Sequence, residues 1–277
     1  MTIILNGRET SAKVMEKVTS MIEELKGVTP GLALVLTGDD KFSERYVKLK
    51  KRKAEEVGIY AEFHHMKAPS QEELVNLIHD LNDNPKIHGI MVQLPLAEGL
   101  DELETVNAIL PEKDVDGLSP NTLGKIVMGE ETYLPAGVEA IMELLKRYDL
   151  DPEGKHWVVV GSSNFLSKPL VSYLGNLDVQ VTFCKESDPA YKELIKEADV
   201  ISTEIFEKQV IKSDMLKDGV IVIDNGNTYE GKKVFGDVDT DDVMGKAEAI
   251  TPVPGGTGPM LISMLLRNTV KAAKASQ

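Results

Sequence analysis

The chain is poor in the residues that staple secreted proteins or build metal centres. One cysteine, Cys184, stands alone among 277 residues, so no intrachain disulfide can form and a reducing compartment is implied. Five scattered histidines and one thiol cannot make a zinc site of the usual spacing, and no metal is expected. Positive charge is also scarce: 31 Lys and Arg stand against 45 Asp and Glu, a formal net charge of −14. A field of that sign repels a phosphate backbone and argues against general nucleic-acid binding. No apolar stretch approaches the ~20 residues needed to cross a bilayer. The start, Met1-Thr2-Ile3-Ile4-Leu5-Asn6-Gly7, lacks the basic lead-in and length of a signal peptide. The expectation is a cytoplasmic protein without a membrane partner. Internal repeats and low-complexity stretches are missing as well.

What remains is globular: 42% hydrophobic and 27% charged residues, in a length that suits two domains of ordinary size. Apolar residues Val14, Val18, Met21, Ile22 and Leu25 recur at helical spacing. Leu32–Leu36 reads as a buried strand, a charged helix spans about Ser43 to Val57 with Gly58 closing it, and Ile59–Met66 reads as the next strand. Ser70 with Glu73 forms a capping box for a helix to about Leu81, and Gly89–Leu94 is a strand ending at Pro95. A second alternation follows a helix around Val138–Tyr148. It has strands at Trp157–Val160, Val179–Phe183, Val200–Ser202 and Val220–Asp224, with helices opened by Pro169 and near Ala190–Glu197. Such alternation implies a mostly parallel α/β sheet, and the second half suggests a Rossmann-like unit. Gly258 to Ser276 is a final helix.

Four segments stand out. Tyr46 and Lys50 share a helix face. The stretch around them reads either as a solvated basic stripe, since Lys48, Lys51, Arg52 and Lys53 lie on the same helix, or as a lysine in a cleft whose amine is partly deprotonated. Val92-Gln93-Leu94-Pro95 reads as a strand ending at a proline, or as an amide presented where parallel strands place ligands. Lys113-Asp114-Val115-Asp116-Gly117 is a turn, or places Asp116 to accept two hydrogen bonds from an N–H/NH2 edge. A metal loop is excluded by the missing oxygen ligands. In Thr251–Met260, three glycines and three prolines fix a backbone whose N–H groups can approach a ligand closely. A fifth segment, Gly161-Ser162-Ser163, sits between strand and helix but keeps only the first glycine of a G-x-G-x-x-G turn. Glu186, near the next strand's end, is placed for a ribose 2′-hydroxyl, and Lys185 for a 2′-phosphate. His64 and His65 read as packing or surface residues, and Cys184 as a strand-end hydrophobe.

Taken in order, these segments resemble the bifunctional methylenetetrahydrofolate dehydrogenase/methenyltetrahydrofolate cyclohydrolase family across essentially the whole chain. Ser43…Tyr46-Val47…Lys50 with Val57-Gly58-Ile59 resembles the family's first signature. Gln93-Leu94-Pro95-Leu96 and Lys113–Gly117 follow at the expected separations. Ile250-Thr251-Pro252-Val253-Pro254-Gly255-Gly256 with Gly258-Pro259-Met260 resembles the second. The resemblance implies an α/β fold of two domains across a cleft. One is an amino-terminal domain of residues 1–137 to which helix 258–277 returns, and the other is a Rossmann-type dinucleotide-binding domain of residues 138–257. It implies Lys50 as the proton-transfer residue, Tyr46 stacked on the folate's aminobenzoyl ring, Gln93 positioning both, and Asp116 holding the pterin edge. Val92, Leu94, Pro254, Gly255 and Gly256 would line the substrate. Gly161, Ser162, Ser163, Lys185, Glu186 and Asn227 would meet the cofactor. The family's partner is a folate, and its dimers form through the cofactor domains.

The cofactor half departs from the pattern. The usual arginine after the first glycine is Ser162 and the usual serine at the next strand's end is Glu186. NADP is thus the family expectation, while these two residues suggest NAD. Tyr133-Leu134-Pro135 replaces Cys-Thr-Pro, Glu204-Ile205-Phe206-Glu207-Lys208 replaces an Ala-x-Gly-x-Pro stretch, and Asn225-Gly226-Asn227-Thr228 replaces Val-Gly-Ile-Asn. The leading expectation is an enzyme with both activities. The alternatives are a cyclohydrolase whose cofactor domain has drifted, and a dinucleotide-binding regulator without turnover.

Overall fold

The computed structural model describes residues 2–277. In chain order, β1 (Ile3–Ile4) and α1 (Gly7–Glu23) precede β2 (Gly31–Thr37), α2 (Lys41–Glu56), β3 (Tyr60–Met66), α3 (Gln71–Asp83) and β4 (Gly89–Val92). Helices α4 (Glu102–Asn107), α5 (Pro120–Met128) and α6 (Ala136–Arg147) follow. Next come β5 (His156–Val160), α7 (Ser167–Leu174), β6 (Gln180–Cys184), α8 (Tyr191–Leu194), β7 (Val200–Thr203) and β8 (Ile221–Asp224). Then β9 (Thr228–Glu230), β10 (Lys233–Phe235), α9 (Thr240–Val243), β11 (Ala249–Ile250) and α10 (Met260–Ala275) run to the carboxyl end. The chain divides into two compact units. One takes the chain up to Ser11, Ile126–Glu130 and Gly137–Leu261; the other takes Ala12–Lys125, Glu131–Ala136 and Ile262–Gln277.

The second of these carries a three-stranded parallel sheet in the order β3-β2-β4. Central β2 is buried along its whole length, which is why Leu32–Leu36 is an unbroken apolar run rather than an alternating one. Ser70 and Glu73 close the capping box at the start of α3. That helix then buries Leu74, Ile78 and Leu81 against Ala33, Val35, Ile87, Ile90 and Val92. Helix α2 starts on Asp40, whose carboxylate accepts the Ser43 N–H at 2.7 Å, and packs on β2 and β3. Gly58, just past its end, has φ of 92°, a left-handed turn that glycine adopts without strain. Within the same unit, Asn268 of α10 donates to the carbonyls of Val115 (3.1 Å) and Leu134 (3.2 Å).

The other unit holds a six-stranded parallel sheet in the order β1-β11-β8-β7-β5-β6. The chain leaves β5 for β6 on one side and then returns to β7 on the other, so the connections reverse between β5 and β7. Ligands of open α/β sheets bind beyond the carboxyl ends of strands at such a reversal. The amino-terminal residues depart from a division at 137. Ile3 and Ile4 pair with Ala249 and Ile250 of β11, and Leu5 N–H donates to the Ile250 carbonyl at 2.8 Å. A strand of two residues carries no readable periodicity, so only the pairing reveals it. Among the described residues no helix is long and apolar enough to cross a membrane, and none of their His, Cys, Asp and Glu side chains group in threes that could hold a metal ion.

The start of α1 touches the glycine loop that follows β11. Gly7 N–H donates to the Gly255 carbonyl at 2.9 Å, and a Cβ on Gly7 would stand 1.7 Å from the Gly256 oxygen. Both partners are backbone, so neither can swing aside. Gly7→Ala should therefore lower unfolding stability by roughly 1–3 kcal/mol through overpacking. Urea denaturation checks this, and an unchanged midpoint would refute the contact.

Candidate active site

Helix α2 turns Val47, Lys50 and Ala54 inward, one stripe at three- and four-residue spacing. The other basic residues of the run stay outside and pair along the helix surface: Lys48 with Glu44 (2.5 Å), Lys51 with Glu55, Lys53 with Glu56 (2.6 Å) and Arg52 with Glu56 (3.6 Å). The solvated-stripe reading thus holds for its neighbours and fails for Lys50, which is only 6% exposed. Its Nζ donates to Gln93 Oε1 at 3.0 Å, lies 3.7 Å from Met91 Sδ, and stands 4.6 Å from the centre of the Tyr46 ring. Met91 and Gln93 are two apart along β4 and its extension, so they face the same side of the sheet. Val92 faces the other way and is 3% exposed in the core against α3. Its side chain is a core residue, because strand alternation turns it from Gln93. Leu94 is half-buried, and its carbonyl accepts Gln93 Nε2–H at 2.7 Å. That bond fixes the amide so that its oxygen faces the lysine.

Burial pulls the Lys50 ammonium down to about 8, with the Asp116 carboxylate opposing the fall. Burial pushes Asp116 up to about 6, with Lys50 opposing the rise and Asp114 adding to it. The two acids of Lys113–Gly117 divide their work. Asp114, 1% exposed, accepts from the N–H groups of Gly117 (3.0 Å), Leu118 (3.3 Å) and Ser119 (2.9 Å) and from Thr122 Oγ1 (2.7 Å). It folds the loop that carries Asp116, a task sequence reading did not assign. The Thr122 hydroxyl downstream was the available signal. An amine that is half neutral near pH 8, in the field of a carboxyl that is ionised there, can take up and release protons.

In the six-stranded unit, the expected cofactor residues gather at the carboxyl edge. Ser162 Oγ donates to Glu186 Oε1 at 2.8 Å, and Ser163 Oγ to Glu204 Oε2 at 2.6 Å. Glu204 also accepts from Ser167 Oγ at 2.5 Å. A Cβ on Gly161 would meet that same hydroxyl at 2.2 Å, so only glycine allows the turn to close. Glu204 is 6% exposed, and burial raises its carboxyl above the usual range. Lys185 and Asn227 are exposed, the latter between β8 and β9. Pro254 is exposed and Gly255 and Gly256 are buried, all in this unit with Gly7. The tight Gly161 turn and the buried, unpartnered Glu186 Oε2 fit a bound dinucleotide, which needs close backbone approach and a hydroxyl acceptor.

Residues 5–116 match the family model described as tetrahydrofolate dehydrogenase/cyclohydrolase, catalytic domain, and residues 135–277 match its NAD(P)-binding domain. The chain belongs to this family. A protein of Moorella thermoacetica called bifunctional protein FolD is 45% identical over 98% of this chain and 98% of its own. The crystal structure of the bifunctional enzyme FolD from Campylobacter jejuni is 39% identical, covers 100% of both chains and superposes with a TM-score of 0.97. A Trypanosoma brucei FolD complexed with NADP cofactor and inhibitor is 30% identical over 99% of this chain and 98% of its own, with a TM-score of 0.93. The chain is therefore an enzyme with the catalytic and NAD(P)-binding domains of the family. The bifunctional reading stands over the hydrolase-only one, and a regulator without turnover is set aside.

Lys50 loses its proton in the fold well before it would in the unfolded chain. The unfolded state thus binds more protons from about pH 8 up to ~10.4, and the Lys50 contribution to stability rises with pH across that window. An NMR titration of its Nζ should show a midpoint near 8. Asp116→Asn should move the midpoint lower, since an opposite charge is removed. A parent midpoint near ~10.4 would refute the desolvation.

Proposed function

We propose that Lys50 moves the proton in the hydrolytic step while Gln93, Tyr46 and Asp116 hold the lysine and the folate in place. The enzyme oxidises 5,10-methylenetetrahydrofolate to the 5,10-methenyl form with NAD(P) and hydrolyses that product to 10-formyltetrahydrofolate. The observation that carries this reading is a lysine 6% exposed whose Nζ is 3.0 Å from the oxygen of an oriented amide.

In the first step the methylene carbon lies between two nitrogens whose lone pairs stabilise the cation left behind. No strong base is needed, and alignment does most of the work. A bound nicotinamide supplies the hydride acceptor. Asp116 accepts from the N–H/NH2 edge of the pterin, and Tyr46 stacks on the aminobenzoyl ring. In the second step water adds to the bridging carbon. Neutral Lys50 takes a proton from that water and delivers one to the ring nitrogen as its carbon–nitrogen bond breaks, leaving the formyl group on the other nitrogen and one proton for solvent. Pro254, Gly255 and Gly256 are assigned to the folate by the motif they match. Gly161, Ser162, Ser163, Lys185, Glu186 and Asn227 are assigned to the cofactor on the same footing.

The enzyme works as a homodimer through its cofactor domain. The six-stranded sheet ends at β6, whose Phe183 is 41% exposed, and a second copy would cover that edge. A cytoplasmic location suits its lone buried thiol.

Lys50→Met tests the assignment. Loss of methenyl absorbance should slow by roughly 10²–10⁴-fold, while methylene-dependent NAD(P)H formation falls less. Equal hydrolysis by variant and parent would overturn the role. In the parent, hydrolysis should rise as pH approaches about 8, because the neutral amine is then the growing species.

A further inference from the structure

We infer that this enzyme selects NAD over NADP, and that Glu186 is the residue that makes the choice. The inference rests on the dinucleotide reading of the carboxyl edge and adds to it which coenzyme that edge accepts. Strands β5 and β6 lie side by side with Val160 opposite Cys184. Gly161 N–H donates to the Cys184 carbonyl at 3.0 Å, and Ser162 Oγ to Glu186 Oε1 at 2.8 Å. The turn after β5 and the end of β6 are thus joined by two bonds, one backbone and one side chain, and the carboxylate of Glu186 is held in a fixed direction.

Only one of its two oxygens is satisfied. Oε2 is buried and has no hydrogen-bond partner among the described residues. Buried polar atoms in native folds nearly always have a partner, so this oxygen lacks a donor that a ligand can supply. In a dinucleotide fold, the acid beyond the second strand meets the adenosine ribose. The ribose 2′-hydroxyl of NAD is a donor. The same position in NADP carries a dianionic phosphate, which donates little and meets a carboxylate of its own sign. The positive charges near the turn do not reverse this. Lys168 is committed to Asn164 Oδ1 at 2.7 Å, and Lys185 is exposed, where solvent and salt screen it.

Equilibrium binding to the full-length enzyme tests the inference apart from catalysis, using calorimetry with NAD, NADP, ADP-ribose and 2′-phospho-ADP-ribose. NAD should bind about 100-fold more tightly than NADP, as expected when like charges are set against each other at one site, and ADP-ribose should lead its 2′-phospho form by a similar factor. Glu186→Ser should bring each pair to within about threefold by removing the repelled charge. Glu186→Gln, nearly identical in shape, should keep NAD binding and lose most of the discrimination. Thermal melts confirm that both variants are folded. Equal parent affinities, a preference for NADP, or an unchanged ratio in folded Glu186→Ser and Glu186→Gln would overturn the choice assigned to Glu186. If none of the four compounds binds, the dinucleotide reading itself falls, a result distinct from binding without selection.

Discussion

The catalytic half of this enzyme depends on taking one ammonium out of water. A value near 8 for Lys50 against an ordinary 10.5 means that the fold disfavours its charged form by roughly 3 kcal/mol. Each surface ion pair on the same helix returns only ~0.3–0.5 kcal/mol. Against a net stability of ~5–15 kcal/mol, that is a sizeable local burden, offset by the fully buried β2 and the apolar stripe of α3. The surroundings of the amine follow from this. Gln93 gives it an acceptor, Tyr46 a ring face, Met91 a polarisable sulfur and Asp116 an opposite charge. A full ion pair in contact would hold the proton too firmly, while no acceptor at all would expel the side chain toward solvent.

In the six-stranded unit the buried groups are acids, and most of them clamp backbone. Asp224 accepts the N–H groups of Gly226 (2.9 Å), Asp237 (3.1 Å) and Val238 (2.9 Å). Asp237 takes those of Ile205 (2.7 Å) and Glu207 (3.1 Å). Both carboxyls are pushed up by burial, Asp224 to about 7 with Asp237 adding to its rise. The segment that Asp237 grips contains Phe206 at φ of 61°, a left-handed conformation that strains any residue with a Cβ. The departures of this chain from the family pattern at Glu204–Lys208 are therefore accommodated by a local network rather than by a changed fold.

Much of the fold was legible because α/β alternation leaves strong marks: the unbroken apolar β2, the capping box of α3, and the glycine after β5. The site was partly legible. Lys50 does come together with Tyr46 and Gln93, yet the basic run left open whether it is the lysine that turns inward. Val47 and Ala54 beside Lys50 were the clue, since an apolar stripe names the buried face whatever stands within it. The side chain of Val92 packs in the core because residues adjacent in a strand face opposite sides. The division of labour between Asp114 and Asp116 was hidden because both sit in one short turn, and only the bonds to Ser119 and Thr122 separate them. Strands β1 and β11 have two residues each, too few for any pattern.

The pairing of Ile3 and Ile4 with Ala249 and Ile250 bears on how the polypeptide is made. Emerging from the ribosome, the first strand must wait for nearly the whole chain before its neighbour exists, and α10, synthesised last, supplies the Asn268 bonds to Val115 and Leu134. Neither unit is a continuous stretch, so nascent fragments present an unpaired sheet edge and an uncovered apolar surface. Such intermediates attract chaperones and aggregate readily, and cutting the gene into two halves would yield partners that must meet in order to finish either one.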